Sequence, residues 1–317
     1  MVMNNIIFFG TSDFAVSTLK ELVENKYNVV LVVTQADQPK GRGQKISAPP
    51  VKQIADYYSL PSIQPEIIRD QSFYSELKSY SSDIIIVVAY GKILPAEILA
   101  IPLHGCINVH ASLLPRYRGA APIQWALLNG EKVTGVTTMY MNEKMDEGNI
   151  LLQEETGIND NETAPLLSDR LSIIGGSLLI KTLQMLRENA LQSIPQNTAE
   201  ATYAPKIKKE NGLIDWNQTA VQIDRMVRAF QPWPSAYCFY NNKLIKIWET
   251  EPSPGDSKSE FPPSSIMKIE KDSIFVQCGN NTSLKIKKLQ IEGRNIITAK
   301  SFLAGHCVSV GESLREG

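Results

Sequence analysis

Cysteine and histidine are scarce, four and three in 317 residues. Cys106, Cys238, Cys278 and Cys307 are scattered and form no C-x-x-C pair. That spacing argues against a zinc site or a dithiol redox motif, and no metal is expected. Reduced, packed thiols of a cytosolic protein are expected instead. No apolar run approaches the roughly 18 residues that a membrane span needs. Ile6 to Phe9 is too short for an export signal and has no basic flank, so a cytoplasmic protein without membrane attachment is expected. Glycines in dinucleotide-binding spacing are also missing. Gly10-Thr-Ser-Asp-Phe-Ala15 lacks the G-x-G-x-x-G pattern, and no acidic residue ends the second apolar run before Asp37. A nicotinamide dehydrogenase is therefore disfavoured, and Gly10 is read as shaping a strand-to-helix turn.

What is present fits a globular chain of two domains, at 43% hydrophobic and 21% charged residues. The net charge of −1 conceals an asymmetry: residues 1–205 carry 16 basic and 21 acidic groups, residues 206–317 carry 16 and 12. A basic C-terminal part hints at a polyanionic partner, although a solvated lysine surface gives the same signal.

The first part alternates apolar runs with helical patterns. Strands are predicted over 5–9, 28–34, 83–89, 105–110 and 133–141. Helices are predicted over 13–25, 51–59, 71–80 and 122–129, and over 163–188 with a break or kink at Gly175-Gly176. This alternation predicts an α/β domain with a doubly wound, mostly parallel, Rossmann-like sheet over 1–188. Residues 189–209, with two prolines and the basic end Lys206-Ile-Lys-Lys209, read as a linker. Beyond it, 210–317 reads as a small OB-like β-barrel opening with a helix over 220–230. Strands are predicted at 235–240, 243–250, 265–269, 273–278 and 283–291. Asn241-Asn242 marks a tight hairpin, 251–263 reads as a loop, and Trp233 and Trp248 as core.

The chemistry concentrates in Cys106 to Gln124, CINVHASLLPRYRGAAPIQ. Asn108 and His110 are two apart at a strand end, so both face one side, about 7 Å apart. Strand carboxyl ends are where open α/β sheets bind ligands. Asp146 follows a later strand and can reach the same cleft. A carbonyl attacked by a neutral amine needs a donor for the oxygen, a base for the amine proton and a group that orients the base. Asn108, His110 and Asp146 supply these in turn, the last by a hydrogen bond to His110 or through an ordered water. Cys106 shares their alternation and is read as packing. Taken singly, each of these residues is more often structural than catalytic.

The ordered run Asn108, His110, Ser112, Leu113, Leu114, Pro115, Tyr117, Arg118, Gly119, with Asp146 and Gly148 distal to it, resembles the signature of the formyltransferases that use 10-formyltetrahydrofolate. The resemblance implies formyl transfer by Asn108, His110 and Asp146, and a folate site bordered by Ser112, Leu113, Leu114 and Pro115. Three further features resemble the methionyl-tRNA branch of that family: Arg116 to Gln124, the basic segment QADQPKGRGQKISAPPVK over 35–52, and a C-terminal β module. They imply methionyl-initiator-tRNA as acceptor and a monomer. Lys40, Arg42 and Lys45 interleave with glycines that let the backbone approach phosphate, and they are expected to contact RNA together with Lys206, Lys208 and Lys209. A formyltransferase acting on an amino sugar nucleotide is the nearest alternative, and a non-catalytic RNA-binding protein the alternative of another class.

Overall fold

The computed structural model describes residues 5–40, 45–254 and 260–315. The first elements in chain order are β1 (Asn5–Gly10), α1 (Asp13–Glu24), β2 (Asn28–Val33), β3 (Gln38–Lys40), β4 (Lys45–Ser47), α2 (Pro50–Tyr57), β5 (Ser62–Ile63) and α3 (Gln71–Ser79). There follow β6 (Ile84–Val88), α4 (Ala96–Leu99), β7 (Cys106–His110), α5 (Pro122–Asn129), β8 (Val133–Tyr140), β9 (Ile150–Gly157) and α6 (Ala164–Arg187). Seven strands form one sheet in the order β5-β2-β1-β6-β7-β8-β9. The pairs from β5 to β7 are parallel, and β7-β8 and β8-β9 are antiparallel. The mostly parallel sheet expected from the alternation is present.

β6, Ile-Ile-Ile-Val-Val, is buried at every position. A strand covered on both faces has no use for alternation, so it reads as an unbroken apolar run. One face, with Ile7, Phe9, Leu31, Val33, Ile85 and Val87, packs under Phe73, Tyr74 and Leu77 of α3 and under Tyr90, Leu94 and Ile98. Each buried side chain of this size contributes roughly 1.5–3 kcal/mol.

The expected break in α6 is corrected. α6 is one continuous helix of 24 residues through Gly175-Gly176. A Cβ on Gly175 would stand 2.9 Å from Val109 Cγ1, and one on Gly176 would stand 2.9 Å from Glu21 Cγ. The glycines let α6 lie close to β7 and α1; they do not break it. The segment 35–52 contains an antiparallel pair, β3 with β4, matching Lys40 to Lys45 across the ladder. Strand β9 went unpredicted because an edge strand, exposed at Gln153, Glu154 and Glu155, carries charge where a buried strand carries valine.

The chain divides into two compact units: residues 1–122, 132–158 and 166–205, and residues 123–131, 159–165 and 206–317. The second unit recruits two short segments from far upstream, which composition does not reveal. Within it, Arg228 Nη1 donates to Glu162 O at 3.1 Å.

The second unit contains α7 (Ala220–Ala229), β10 (Ala236–Tyr240), β11 (Lys243–Pro254), β12 (Ile266–Glu270), β13 (Ser273–Gln277), β14 (Thr282–Ile291), β15 (Ile297–Thr298) and α8 (Ala299–Gly305). Its antiparallel sheet runs β10-β11-β14-β13-β12, with β15 on β14. Thr219 caps α7 in a reciprocal box with Gln222. The hairpins β10-β11 and β13-β14 turn on Asn241-Asn242 and Asn280-Asn281, all at φ between 51° and 59°, the left-handed region that asparagine tolerates. β11 continues to Pro254, so the expected loop begins later than 251. Trp233 is 55% exposed, against its reading as core, and Trp248 is half-buried with Nε1 donating to Gln290 Oε1. No helix among the described residues is long and apolar enough to cross a membrane.

Candidate active site

Strand β7 positions the site. Its register sets Cys106 beside Ile85 and Asn108 beside Val87, so the three alternating residues begin in the apolar core and end past it. Cys106 belongs to that core at 2% exposure. Burial pushes its thiol up to about 12, so it is no nucleophile at neutral pH. Asn108 is half-buried and His110 is buried.

The loop after β8 brings Asp146 to them. Asn108 Nδ2 donates to Asp146 Oδ1 at 3.4 Å. Asp146 Oδ2 accepts from the Gly119 N–H at 2.8 Å and stands 3.8 Å from His110 Nδ1. The last distance is too long for a hydrogen bond. The direct Asp146–His110 hydrogen bond considered from the sequence is not made at this distance, and a main-chain N–H fixes the carboxylate instead. His110 Nε2 lies 3.0 Å from Tyr117 O. A carbonyl only accepts, so Nε2 carries a proton and donates it to Tyr117 O, which leaves Nδ1 on the side of Asp146.

Backbone in the left-handed region supports this arrangement. Tyr117 has φ 61° and Asp146 has φ 55°, conformations that cost ~1–3 kcal/mol for residues with a Cβ and persist only where neighbours enforce them. Tyr117 N donates to Thr202 Oγ1 at 2.8 Å, and Arg118 N to Thr202 O at 2.9 Å. Gly119, at φ +123°, lies so close to the following segment that a Cβ would stand 2.6 Å from Ala204 O. A Cβ on Gly148 would stand 1.7 Å from Tyr140 O.

The Ser112–Pro115 loop is equally constrained. Ser112 and Leu114 are buried, and Leu113 and Pro115 are half-buried. The Leu114–Pro115 peptide is cis. Ser112 Oγ donates to Arg116 O at 2.6 Å. Thr137 Oγ1 donates to Ser112 O at 2.6 Å and accepts from Leu114 N at 3.1 Å, and Gln153 Nε2 donates to Leu114 O at 2.9 Å. Thr137, Gln153, Gln196 and Thr202 support the site without belonging to any motif. Thr137 was detectable as a hydroxyl in a buried strand; Gln196 and Thr202 are joined to Arg118 only by folding.

Lys206, Lys208 and Lys209 are exposed in the second unit around buried Ile207. Lys40 and Lys45 are backbone partners in the β3-β4 ladder, and Arg42 lies outside the described residues. On β14, Lys287 and Lys288 pair with Glu251 and Glu249, each at 2.6 Å.

The pattern of the formyl transferase family matches residues 3–183, and that of the formyl transferase C-terminal domain matches residues 206–307. The chain belongs to the formyl transferase family. A relative from Thermodesulfovibrio yellowstonii, called methionyl-tRNA formyltransferase, is 49% identical over 309 residues, covering 97% of this chain and 98% of the relative. One of the same name from Alkaliphilus oremlandii is 44% identical, covering 98% and 99%. Solved formyl transferase folds lie further off. A sugar 3N-formyl transferase, WlaRD, superposes with TM-score 0.66 at 19% identity, covering 93% of this chain and 100% of its own. HypX from Aquifex aeolicus, solved with tetrahydrofolic acid, gives 0.66 at 15%, covering 98% of this chain and 49% of its own. At those identities the two structures show the shared formyl transferase fold alone.

Proposed function

We infer that the chain transfers the formyl group of 10-formyltetrahydrofolate to the α-amine of methionyl-initiator-tRNA, giving formylmethionyl-tRNA for translation initiation. The carrying observation is the convergence of Asn108, His110 and Asp146 beside a constrained Ser112–Pro115 loop, in a chain nearly half identical to methionyl-tRNA formyltransferases over almost its whole length. The donor set fits a formyl carbonyl: an amide donor, an imidazole and a carboxylate, with the nearby thiol held protonated by burial. When bound along 112–115, the folate would supply the formyl carbon and, in its nitrogen, the leaving group.

Asn108 has two amide N–H groups. One serves Asp146, and the other donates to the formyl oxygen as it gains negative charge, an interaction worth ~3 kcal/mol in such sites. An aminoacyl amine, with a reference pKa of about 7.7–8.0, is partly neutral at cellular pH and can attack. His110 Nδ1 takes the amine proton and returns it to the departing folate nitrogen as the old C–N bond breaks and the new one forms. Asp146 stabilises the imidazolium between these two transfers. The basic residues Lys40, Arg42 and Lys45 and the exposed Lys206, Lys208 and Lys209 bind the tRNA backbone, and the enzyme works as a cytoplasmic monomer.

The test is formyl transfer by the purified chain to methionyl-tRNA, initiator against elongator. Transfer to the initiator alone supports the whole reading. Transfer to an amino sugar nucleotide and to neither tRNA would move the acceptor and discard the RNA role of Lys40, Arg42 and Lys45. Replacing His110 by Ala should abolish turnover in a folded protein, and retained turnover sinks its role as the base.

A further inference from the structure

Gln196 lies 50 residues beyond Asp146, in the segment after α6, yet its side chain ends on the Asp146 loop. Its Oε1 accepts from Arg118 Nε and Nη2 at 3.0 and 2.8 Å. Its Nε2 donates to the main-chain oxygens of Asp146 and Gly148, both at 2.8 Å. A primary amide offers two donors and one oxygen with two lone pairs, so all four are engaged, on Arg118, Asp146 and Gly148.

We propose that Gln196 is a positioning residue that holds the Asp146 carboxylate in its working place; the assignment rests on the formyl-transfer reading above. Asp146 occupies a backbone conformation that must be enforced from outside. Arg118 is a rigid anchor for that purpose. Only 2% exposed, it heads the fully buried side chains by volume. Its backbone is bonded on both sides, N to Thr202 O and O from Ala204 N. A buried guanidinium is costly to leave unpaired, so it demands the Gln196 oxygen; Glu147 Oε1, 3.4 Å from Nη1, is its other partner. The next residue, Gly119, binds the Asp146 carboxylate. Asp146 is thereby gripped at both ends from one place, its carboxylate by Gly119 N–H and its carbonyl by Gln196 on Arg118. The carboxylate owes its position beside His110 and Asn108 to that grip.

The decisive variant is Gln196→Glu. It has the same shape and still accepts from Arg118, but it can no longer donate to the two carbonyls. Misplacing a catalytic group by about 1 Å costs up to ~100-fold. The expected result is a kcat lowered ~10–100-fold, with KM for folate and for tRNA changed less than about threefold. Residues that act as a unit are non-additive, so the same change in an Asp146→Asn background should cost less than about threefold in single-turnover rate. Equal losses in both backgrounds overturn the proposal. Amide exchange at the Gly119 N–H, which reports whether the Asp146 carboxylate is in place, should accelerate in Gln196→Glu, and unchanged exchange also overturns it. The exchange measurement needs no turnover. A chain that transfers a formyl group to no acceptor would sink the formyl-transfer reading, while Gly119 still decides what Gln196 does. If Gln196→Glu does not fold, Gln196→Ala is carried through the same measurements.

Discussion

Asn108 binds the fixed carboxylate of Asp146 and, in the proposed reaction, a formyl oxygen whose charge exists only during transfer. Asn108→Ala removes the second interaction and should lower kcat by ~10²–10³, with KM for either substrate little altered; a loss expressed mainly in KM would make Asn108 a binding residue. Asn108 and His110 were legible because the sequence supplied a strand, its alternation and its carboxyl end. Cys106 was ambiguous on the same evidence, since alternation assigns a face and not a depth. Depth comes from register: Cys106 sits beside Ile85 under α3 and α4, one step short of the site. Tyr90 is a residue whose sequence gave no warning. Its ring packs edge-on to Phe9 at 5.1 Å, and its hydroxyl is buried without a partner among the described residues. A buried polar group without a hydrogen bond is unfavourable, so Tyr90→Phe should raise unfolding stability by about 1 kcal/mol in urea denaturation. A loss of stability would mean that the hydroxyl has an unrecognised partner.

Elements were legible in proportion to how much of their pattern is set locally. β6 and β7 declare themselves by β-branched runs, and α7 by Thr219 with Gln222 at capping-box spacing ahead of an amphipathic helix. The box is closed: Thr219 N donates to Gln222 Oε1 at 2.9 Å, and Gln222 N to Thr219 Oγ1 at 3.3 Å. Thr219→Ala should cost about 1 kcal/mol, read from a shift in denaturation midpoint, and Thr219→Asp should restore most of it. If Thr219→Ala is silent, tertiary packing of α7 rather than its cap holds the helix start. Elements shaped by distant neighbours could not be read. The glycine pair in α6 resembles a helix breaker until Val109 and Glu21 are seen against it. β9 needed β8 beside it, and the segment after α6 read as linker because its partners, Ile150, Arg118 and Asp146, lie far back along the chain.

At the scale of the whole molecule, both units bury groups that ionise in alkali. In the first unit burial raises the Cys106 thiol from 9.0 to about 12 and the Tyr90 phenol from 10.0 to about 12. In the second, burial raises the Cys238 and Cys278 thiols to about 12. Tyr240 reaches about 12 as well, first through burial and then through its hydrogen bond to Glu312, Oη to Oε2 at 2.6 Å. Each group is neutral when protonated, and each releases its proton from the unfolded chain at lower pH than from the folded one. Between those two values the folded state binds more protons, so stability falls as pH rises. The window opens near pH 9.0, where unfolded thiols ionise, steepens near 10.0 with the phenols, and closes near 12. One group shifted by about 2 units contributes on the order of 3 kcal/mol across its window. Because each unit holds a phenol and at least one thiol of this kind, neither should outlast the other in alkali. Thermal unfolding from pH 8 to 11, followed with tyrosinate ultraviolet absorbance, checks this. The expected course is a level melting temperature below about pH 9 and a steep decline above it, with tyrosinate from Tyr90 and Tyr240 appearing only on unfolding. A melting temperature that stays level through pH 11, or phenols that titrate near 10 in the folded protein, would mean that water reaches these side chains and that the packing around Tyr90 and Tyr240 is looser than described.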